Sequence, residues 1–408
     1  MNKHRSPRGY IALIFFLTFI YGISNQAIGA LITQIIAHYG IRMAQAGFLS
    51  SFNSVGKIAV MFVITIFVGK INKMILMGTS LFFYSVSLYM VSAAPPFSII
   101  LVSFALIGVF GSTLDTLTNS FIADLMPSNI SRSISLLHGV FGLGGLCGPV
   151  IMERFAGNLN WAQIYFVLSL SFFIYLVIYA ALVKWQWSLL TVRISNEKQV
   201  QVGFSDIVQF FTRRRNVLLW LTMFFYAGNQ STLAVWIKRY VEIHLNTPVW
   251  GAYALSAMWL GTAICRLVIS PNINVSSSKK ILFGNLISAV VLIAGLLSGS
   301  AKTVAAATLV VGLSSGLSVP LILAMGCEWY REKTAFGTVM PFTACFISYA
   351  VFPPLSGLVS DSLGMTWGVA VSAASAFLTV VFSGMLGANL KSAYPQTAGK
   401  AAGNESGV

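Results

Sequence analysis

The stretch LVSFALIGVFGSTLDTLTNSFIADLM, residues 101–126, is long and apolar enough to cross a bilayer, yet Asp115 lies deep inside it. A charge at the bilayer centre costs about 2.5–3.5 kcal/mol on insertion scales, so such a group normally faces a bundle interior, a partner or water. Asn119 follows four residues on and shares its helical face. A carboxylate in that setting is a candidate to bind and release a proton. The competing reading is a fixed buried ion or hydrogen-bond pair. Lys57 lies at similar depth in the second apolar stretch. Three readings of it stay open: it pairs with Asp115, it receives an anionic solute, or it snorkels to an interface. His138 is read either as a proton relay or as a satisfied core histidine. Asp115, Lys57 and His138 are the proton-coupling candidates.

Solute chemistry is sought among amides and rings. Asn25, Gln26, Asn53, Asn119, Asn229 and Gln230 sit in apolar segments. Amides supply the donors and acceptors that a sugar needs. The alternative is interhelical glue, worth about 0.6 kcal/mol per bond on average. Trp236 and Tyr226 are the aromatic candidates for a sugar platform, against core packing or an interfacial belt. No metal-ligand cluster, nucleophile–base arrangement or phosphate loop stands in the sequence. An enzyme, an ATP-driven pump, a bound metal and a cofactor are therefore not expected. Cys147, Cys265, Cys327 and Cys345 read as small core residues.

The composition explains where these groups must be held. The chain of 408 residues is 57% hydrophobic and 9% charged, with a mean hydropathy of +0.82. An ordinary soluble domain is about 25% charged, so the chain is of the membrane class. The net charge of +15 is read as basic cytoplasmic loops, and a nucleic-acid partner is not expected. Twelve apolar segments reach the length of about 20 residues that a bilayer requires: 10–37, 44–68, 73–93, 97–123, 133–155, 161–184, 216–242, 248–270, 280–299, 303–326, 335–358 and 365–389. No cleavable leader is evident, and the first segment is expected to remain as a helix.

Basic residues recur in alternate loops, from Lys3, Arg5 and Arg8 through Lys70 and Lys73, Arg132, Arg213–Arg215, Lys279 and Lys280, to Lys391 and Lys400. Both termini are expected on the cytoplasmic side of a bacterial inner or plasma membrane. The domains expected are a six-helix half over 1–184, a cytoplasmic linker over 185–215, a second six-helix half over 216–390 and a disordered tail over 391–408. The halves echo one another. Tyr21 and Asn25-Gln26 answer Tyr226 and Asn229-Gln230, and Gly108 answers Gly312, at an offset near 204. Such repetition is a transporter architecture, with the solute site near the midplane between the halves.

The segments GSTLDTLTNSF (111–121), FGLGGLCGPVI (141–151), NLNW (158–161), FFYAGNQSTLAVW (224–236) and SGLVSDSLG (356–364) resemble major facilitator superfamily transporters. Within it they are most similar to the fucose:proton symporter family, including its glucose/mannose:proton symporters. The resemblance implies an all-α membrane fold of twelve helices in two repeat-related halves. It also implies proton-coupled uptake of a hexose-type solute by alternating access, with Asp115 at the family's acidic position. The family's helix-one acid falls at or near Gly29, and VGKINK (68–73) lacks the acid usual after helix two. The expected partners are a small solute, a proton and the bilayer, and a monomer is expected. Two alternatives are kept: a proton-driven exporter of amphipathic compounds, and a non-transporting membrane sensor.

Overall fold

The computed structural model describes residues 8–67, 72–126, 130–193, 204–269 and 276–393, and its elements are helical. The first half comprises α1 (Arg8–Asn25), α2 (Ala27–Tyr39), α3 (Met43–Phe67), α4 (Lys73–Ser92), α5 (Phe97–Leu125), α6 (Ile130–Ala156) and α7 (Trp161–Arg193). A short α8 (Phe204–Thr212) leads into the second half. That half comprises α9 (Arg214–Arg239), α10 (Pro248–Ile264), α11 (Ser277–Leu297), α12 (Ala301–Ser315), α13 (Ser318–Trp329), α14 (Thr334–Leu363) and α15 (Met365–Ala393). With α1–α2 and α12–α13 each forming one broken span, the architecture is twelve spans in two sixes. α7 runs on to Arg193 and α8 follows, so part of the expected linker is helical. The expected tail beyond Ala393, most of the basic tail before Arg8, Lys70 and the remaining linker lie outside the described residues.

Among the described residues, nine helical spans are long and apolar enough to cross a membrane. The three that fall short are α3, α9 and α10. α3 carries Asn53 and Lys57, α9 carries Asn216, Asn229 and Gln230, and α10 has only 17 residues. Of the three, only α9 is markedly polar along its length. Outward-facing side chains such as Phe16, Phe173 and Val290 are exposed and apolar, as a lipid-facing surface requires.

The repeat is visible in the packing. Gly108 of α5 lies so close to the Asn53 carbonyl of α3 that no side chain fits there. Gly312 of α12 meets the Met258 carbonyl of α10 in the same way. The glycines are offset by 204 residues and their partners by 205. Small residues let helix backbones approach in a membrane, and this contact has been laid down twice.

Prolines shape the second half. A proline has no N–H, so the carbonyl four residues earlier loses its helical donor. Pro353 and Pro354 free the carbonyls of Tyr349 and Ala350. Ser50 and Ser51 of α3 donate to those two oxygens, at 2.9 and 2.5 Å. Pro320 likewise frees the Gly316 carbonyl at the α12–α13 break, and Arg266 Nε donates to it at 3.0 Å. Arg266 itself sits on a wide π-type turn, Cys265–Ile269, that follows α10; such turns recur at functional sites.

Candidate functional site

The two halves meet through α2 against α9, α3 against α14 and α6 against α10. α1 and α13, the parts of the broken spans away from this contact, have no comparable partner across the halves. One end of the molecule is therefore closed and the other is parted. The closed end has an apolar seal, in which Ile32, Ile36, Met43 and Ala46 of the first half cluster with Leu233, Trp236 and Ile237 of the second. It also has an ionic seal. Lys238 Nζ lies 2.9 Å from Glu153 of the opposite half and 3.0 Å from Glu242. Thr33 Oγ1 donates to Glu242 at 2.9 Å. Asp361 accepts the backbone N–H groups of Met43 and Ala44 at 3.1 and 2.9 Å. A carboxylate at a helix N-terminus satisfies its free donors and its dipole. The acid of SGLVSDSLG thus caps a helix in the other half.

Beneath this seal lies a cavity of about 60 Å³, room for a few waters. Its polar walls include Tyr21, Ser24, Asn25, Asn53, Lys57 and Tyr349. It reaches the break between α1 and α2, where Asn25 ends one helix and Gln26 turns into the next. Asn25 Nδ2 donates to the Tyr21 carbonyl at 3.1 Å, and Asn53 Nδ2 donates to the Phe104 carbonyl at 3.3 Å. Among the described residues, neither amide oxygen accepts a hydrogen bond. Gly29, also in the wall, lies against the Ala234 backbone with no room for a side chain. The family's helix-one acid would not fit there in this conformation.

The charged groups stand between the cavity and the parted end. Asp115 is within electrostatic reach of His138 and Lys57. His138 also feels Arg266, and Tyr226 lies beside Arg266 and Tyr349. His138 is exposed while interacting with two interior charges, so it faces the cleft between the halves and not lipid. Among the described residues, no ion pair within 4.0 Å joins Lys57 to Asp115. Elsewhere Lys73–Asp124, Lys238–Glu153, Lys238–Glu242 and Lys333–Asp206 all meet that distance. The direct-pair reading of Lys57 does not describe this structure. Neither does the snorkelling reading, because Lys57 lines the interior cavity.

Other predicted residues are placed differently from one another. Asn119 Nδ2 donates to the Asp115 carbonyl at 2.8 Å, which turns its amide onto its own helix. Gln26 Oε1 accepts from Trp259 Nε1 at 2.9 Å and ties the first span to α10. Asn229 is fully buried and donates to the Ser372 carbonyl at 3.1 Å. Gln230 donates to Asn229 Oδ1 at 3.0 Å and to Ser315 Oγ at 3.3 Å. Trp236 is fully buried in the apolar seal, its Nε1 donating to the Pro353 carbonyl at 3.0 Å. The structure thus departs from the expectation that Asn229, Gln230 and Trp236 line a solute site. They are spent on helix–helix hydrogen bonds, because α9 is packed on both sides by α14 and α15.

Two walls escaped the sequence reading. Tyr84 and Tyr165 reach the cavity from α4 and α7. Tyr84 shares a hydrogen bond of 3.0 Å with Ser24. The Tyr165 hydroxyl is buried with no hydrogen-bond partner among the described residues. A tyrosine within an apolar helix reads as belt or core, so spacing alone carried no signal for them.

Comparison with known proteins agrees with this architecture. The sequence pattern of the Major Facilitator Superfamily matches residues 14–273. The glucose/mannose transporter GlcP of Bacillus subtilis (strain 168) is 26% identical over 284 residues, covering 66% of this chain and 68% of that protein. A bacterial homologue of the human lysosomal transporter Spinster, solved inward-facing and unoccupied, superposes with a TM-score of 0.76 at 13% identity, over 94% of this chain and 97% of that one. The Escherichia coli fucose:proton symporter FucP (N162A) superposes with a TM-score of 0.61 at 18% identity, over 94% and 99%. The chain is a multi-pass membrane protein that belongs to the major facilitator superfamily.

Proposed function

We propose that the protein is a secondary transporter that carries a small polar solute of hexose type together with a proton. The observation that carries this reading is Asp115: a carboxylate in the middle of a membrane helix, within electrostatic reach of Lys57 and His138 of the same half, with no ion pair among the described residues. An intramembrane acid is a functional site by default, and a lone carboxylate there is suited to bind and release a proton. The relatives support the solute class, since GlcP is named a glucose/mannose transporter and FucP a fucose:proton symporter.

In this account the basic loops lie in the cytoplasm, both termini are cytoplasmic, and the closed end faces outward. The cavity is then the collapsed end of the outward path. Solute and proton leave through the parted side, and the halves, 1–184 and 216–390, rock about the α3–α14 and α6–α10 seams. Asn25 and Asn53 hold the solute, Asp115 holds the proton, and His138 stands at the cytoplasmic exit. Coupling requires that each ligand bind better when the other is present.

Proteoliposome uptake tests this. Solutes of three to seven carbons are offered with and without an inward proton gradient while internal pH is read. Acidification that accompanies accumulation of one solute supports the reading. Efflux of preloaded amphipathic compounds as protons enter, with no uptake, replaces it with the exporter.

A further inference from the structure

We infer that the solute is an anion: a small hydroxy acid whose carboxylate rests on Lys57 and whose hydroxyls meet Asn25, Asn53 and the cavity tyrosines. This rests on the transport reading above and names the substrate class of the same site. The argument begins with charge. The centre of the bundle holds two cation candidates, Lys57 and Arg266, and one carboxylate, Asp115. Among the described residues neither cation has a carboxylate within 4.0 Å, whereas Lys73, Lys238 and Lys333 each do. Arg266 spends its Nε on the Gly316 carbonyl and keeps the rest of its fork toward Tyr226 and Tyr349. When Asp115 carries the transported proton, no carboxylate among the described residues lies within 4.0 Å of Lys57 or Arg266 to supply a counter-charge. A buried cation needs one. A neutral sugar cannot supply it, and a carboxylate can.

The walls agree. The cavity is lined by Lys57, four tyrosines and two amides, and by no carboxylate. A hydroxy acid suits this lining: its carboxylate takes the Lys57 ammonium and tyrosine hydroxyls as donors, and its hydroxyls donate to the amide oxygens. Tyr165 also reaches the cavity wall, and its buried hydroxyl has no hydrogen-bond partner among the described residues. Proton and anion also favour each other electrostatically. Neutralising Asp115 raises the potential at Lys57 and tightens anion binding, and the bound anion in turn favours protonated Asp115. One proton with one monoanion moves no net charge.

The test uses the full chain in proteoliposomes, with D-gluconate, D-glucuronate and D-lactate as acid probes and D-glucose, D-mannose and L-fucose as neutral ones. An acid probe is expected to accumulate under an inward proton gradient, at a rate unchanged by an imposed membrane potential. Lys57→Gln should lower its uptake at subsaturating concentration at least tenfold, and Lys57→Arg should restore part of it. Ligand-induced thermal stabilisation of the wild-type protein in detergent keeps the question open to test if Lys57→Gln does not fold: an acid probe should raise the melting temperature and a neutral sugar should not. Proton-coupled accumulation of a neutral sugar, speeded by an inside-negative potential, with no acid probe moving or stabilising, overturns the anion inference and leaves the transport reading standing. Failure of both sets, with amphipathic compounds leaving as protons enter, removes the transport reading and this inference together.

Discussion

The two halves share a scaffold and divide the chemistry. At the repeated close contact, Asn53 in the first half stands where Met258 stands in the second. At the same offset of 205, Lys57 corresponds to Thr262, and at 204, Asp115 corresponds to Val319. The second-half residues are spent on packing: Met258 is buried in the apolar seal, and Thr262 bonds the Met258 carbonyl of its own helix at 2.9 Å. The amide pairs diverge too. Asn25-Gln26 sits at a helix break beside the cavity, while Asn229-Gln230 lies in an unbroken helix with its amides bonded to neighbours. Duplication supplies two six-helix bodies; the first half carries Lys57, Asp115 and His138, and the second contributes Arg266.

The scaffold side of this comparison breaks most visibly at its glycines. Gly108→Leu and Gly312→Leu each force a side chain onto a backbone carbonyl, where little can yield. Overpacking typically costs about 1–3 kcal/mol, occasionally more, so both variants should be lost from the folded, monodisperse fraction on size exclusion. Loss of only one would show that the two seams are not equivalent. The next largest effect is expected at the ionic seal. Lys238→Met leaves Glu153 and Glu242 facing each other at the closed end. Breaking a buried pair costs about 3–5 kcal/mol, less where the pair is partly exposed, and the conformation that separates the halves there gains population. In a background without native cysteines, Ala46→Cys should then react at least tenfold faster with an impermeant maleimide; an unchanged rate would deny the seal its role.

The chemistry side is sharpened by the amides. Asn25→Ala is expected to raise the KM for uptake about tenfold with little change in melting temperature. Asn229→Ala should do the reverse, lowering the melting temperature with KM held within twofold, because it leaves a buried carbonyl without its donor at a cost of about 1–3 kcal/mol. If both variants move KM equally, the division between halves is wrong. The smallest effect is expected from Ser50→Ala or Ser51→Ala. Each removes one donor to a proline-freed carbonyl, worth about 1 kcal/mol, readable as a small fall in melting temperature.

Much of the scaffold was legible because hydropathy, loop charge and repeat spacing all report on it directly. The twelve spans followed from apolar length, and Gly108 and Gly312 were visible as a pair. Pro320, Pro353 and Pro354 stand in the sequence as carbonyls in need of donors, but which donors arrive depends on how the halves dock. Arg266, Ser50 and Ser51 could not be read without it. Lys57 was legible as an interior group because a charge has no cheap alternative in an apolar helix, and it lines the cavity. The site was not legible where a residue type serves equally for packing and for contact. Trp236 has the chemistry of a sugar platform and is buried in the seal, while Tyr84 and Tyr165 look like belt residues and line the cavity. An amide pair reads the same in sequence whether its helix is broken, as at Gln26, or continuous, as at Gln230.

The most direct test of the account compares wild type with Asp115→Asn in proteoliposomes, measuring solute accumulation under an inward proton gradient and solute exchange at equal pH on both sides. The account predicts that the variant loses accumulation, with the internal concentration rising no higher than the external one, while exchange persists. Accumulation at the wild-type level in Asp115→Asn would contradict it.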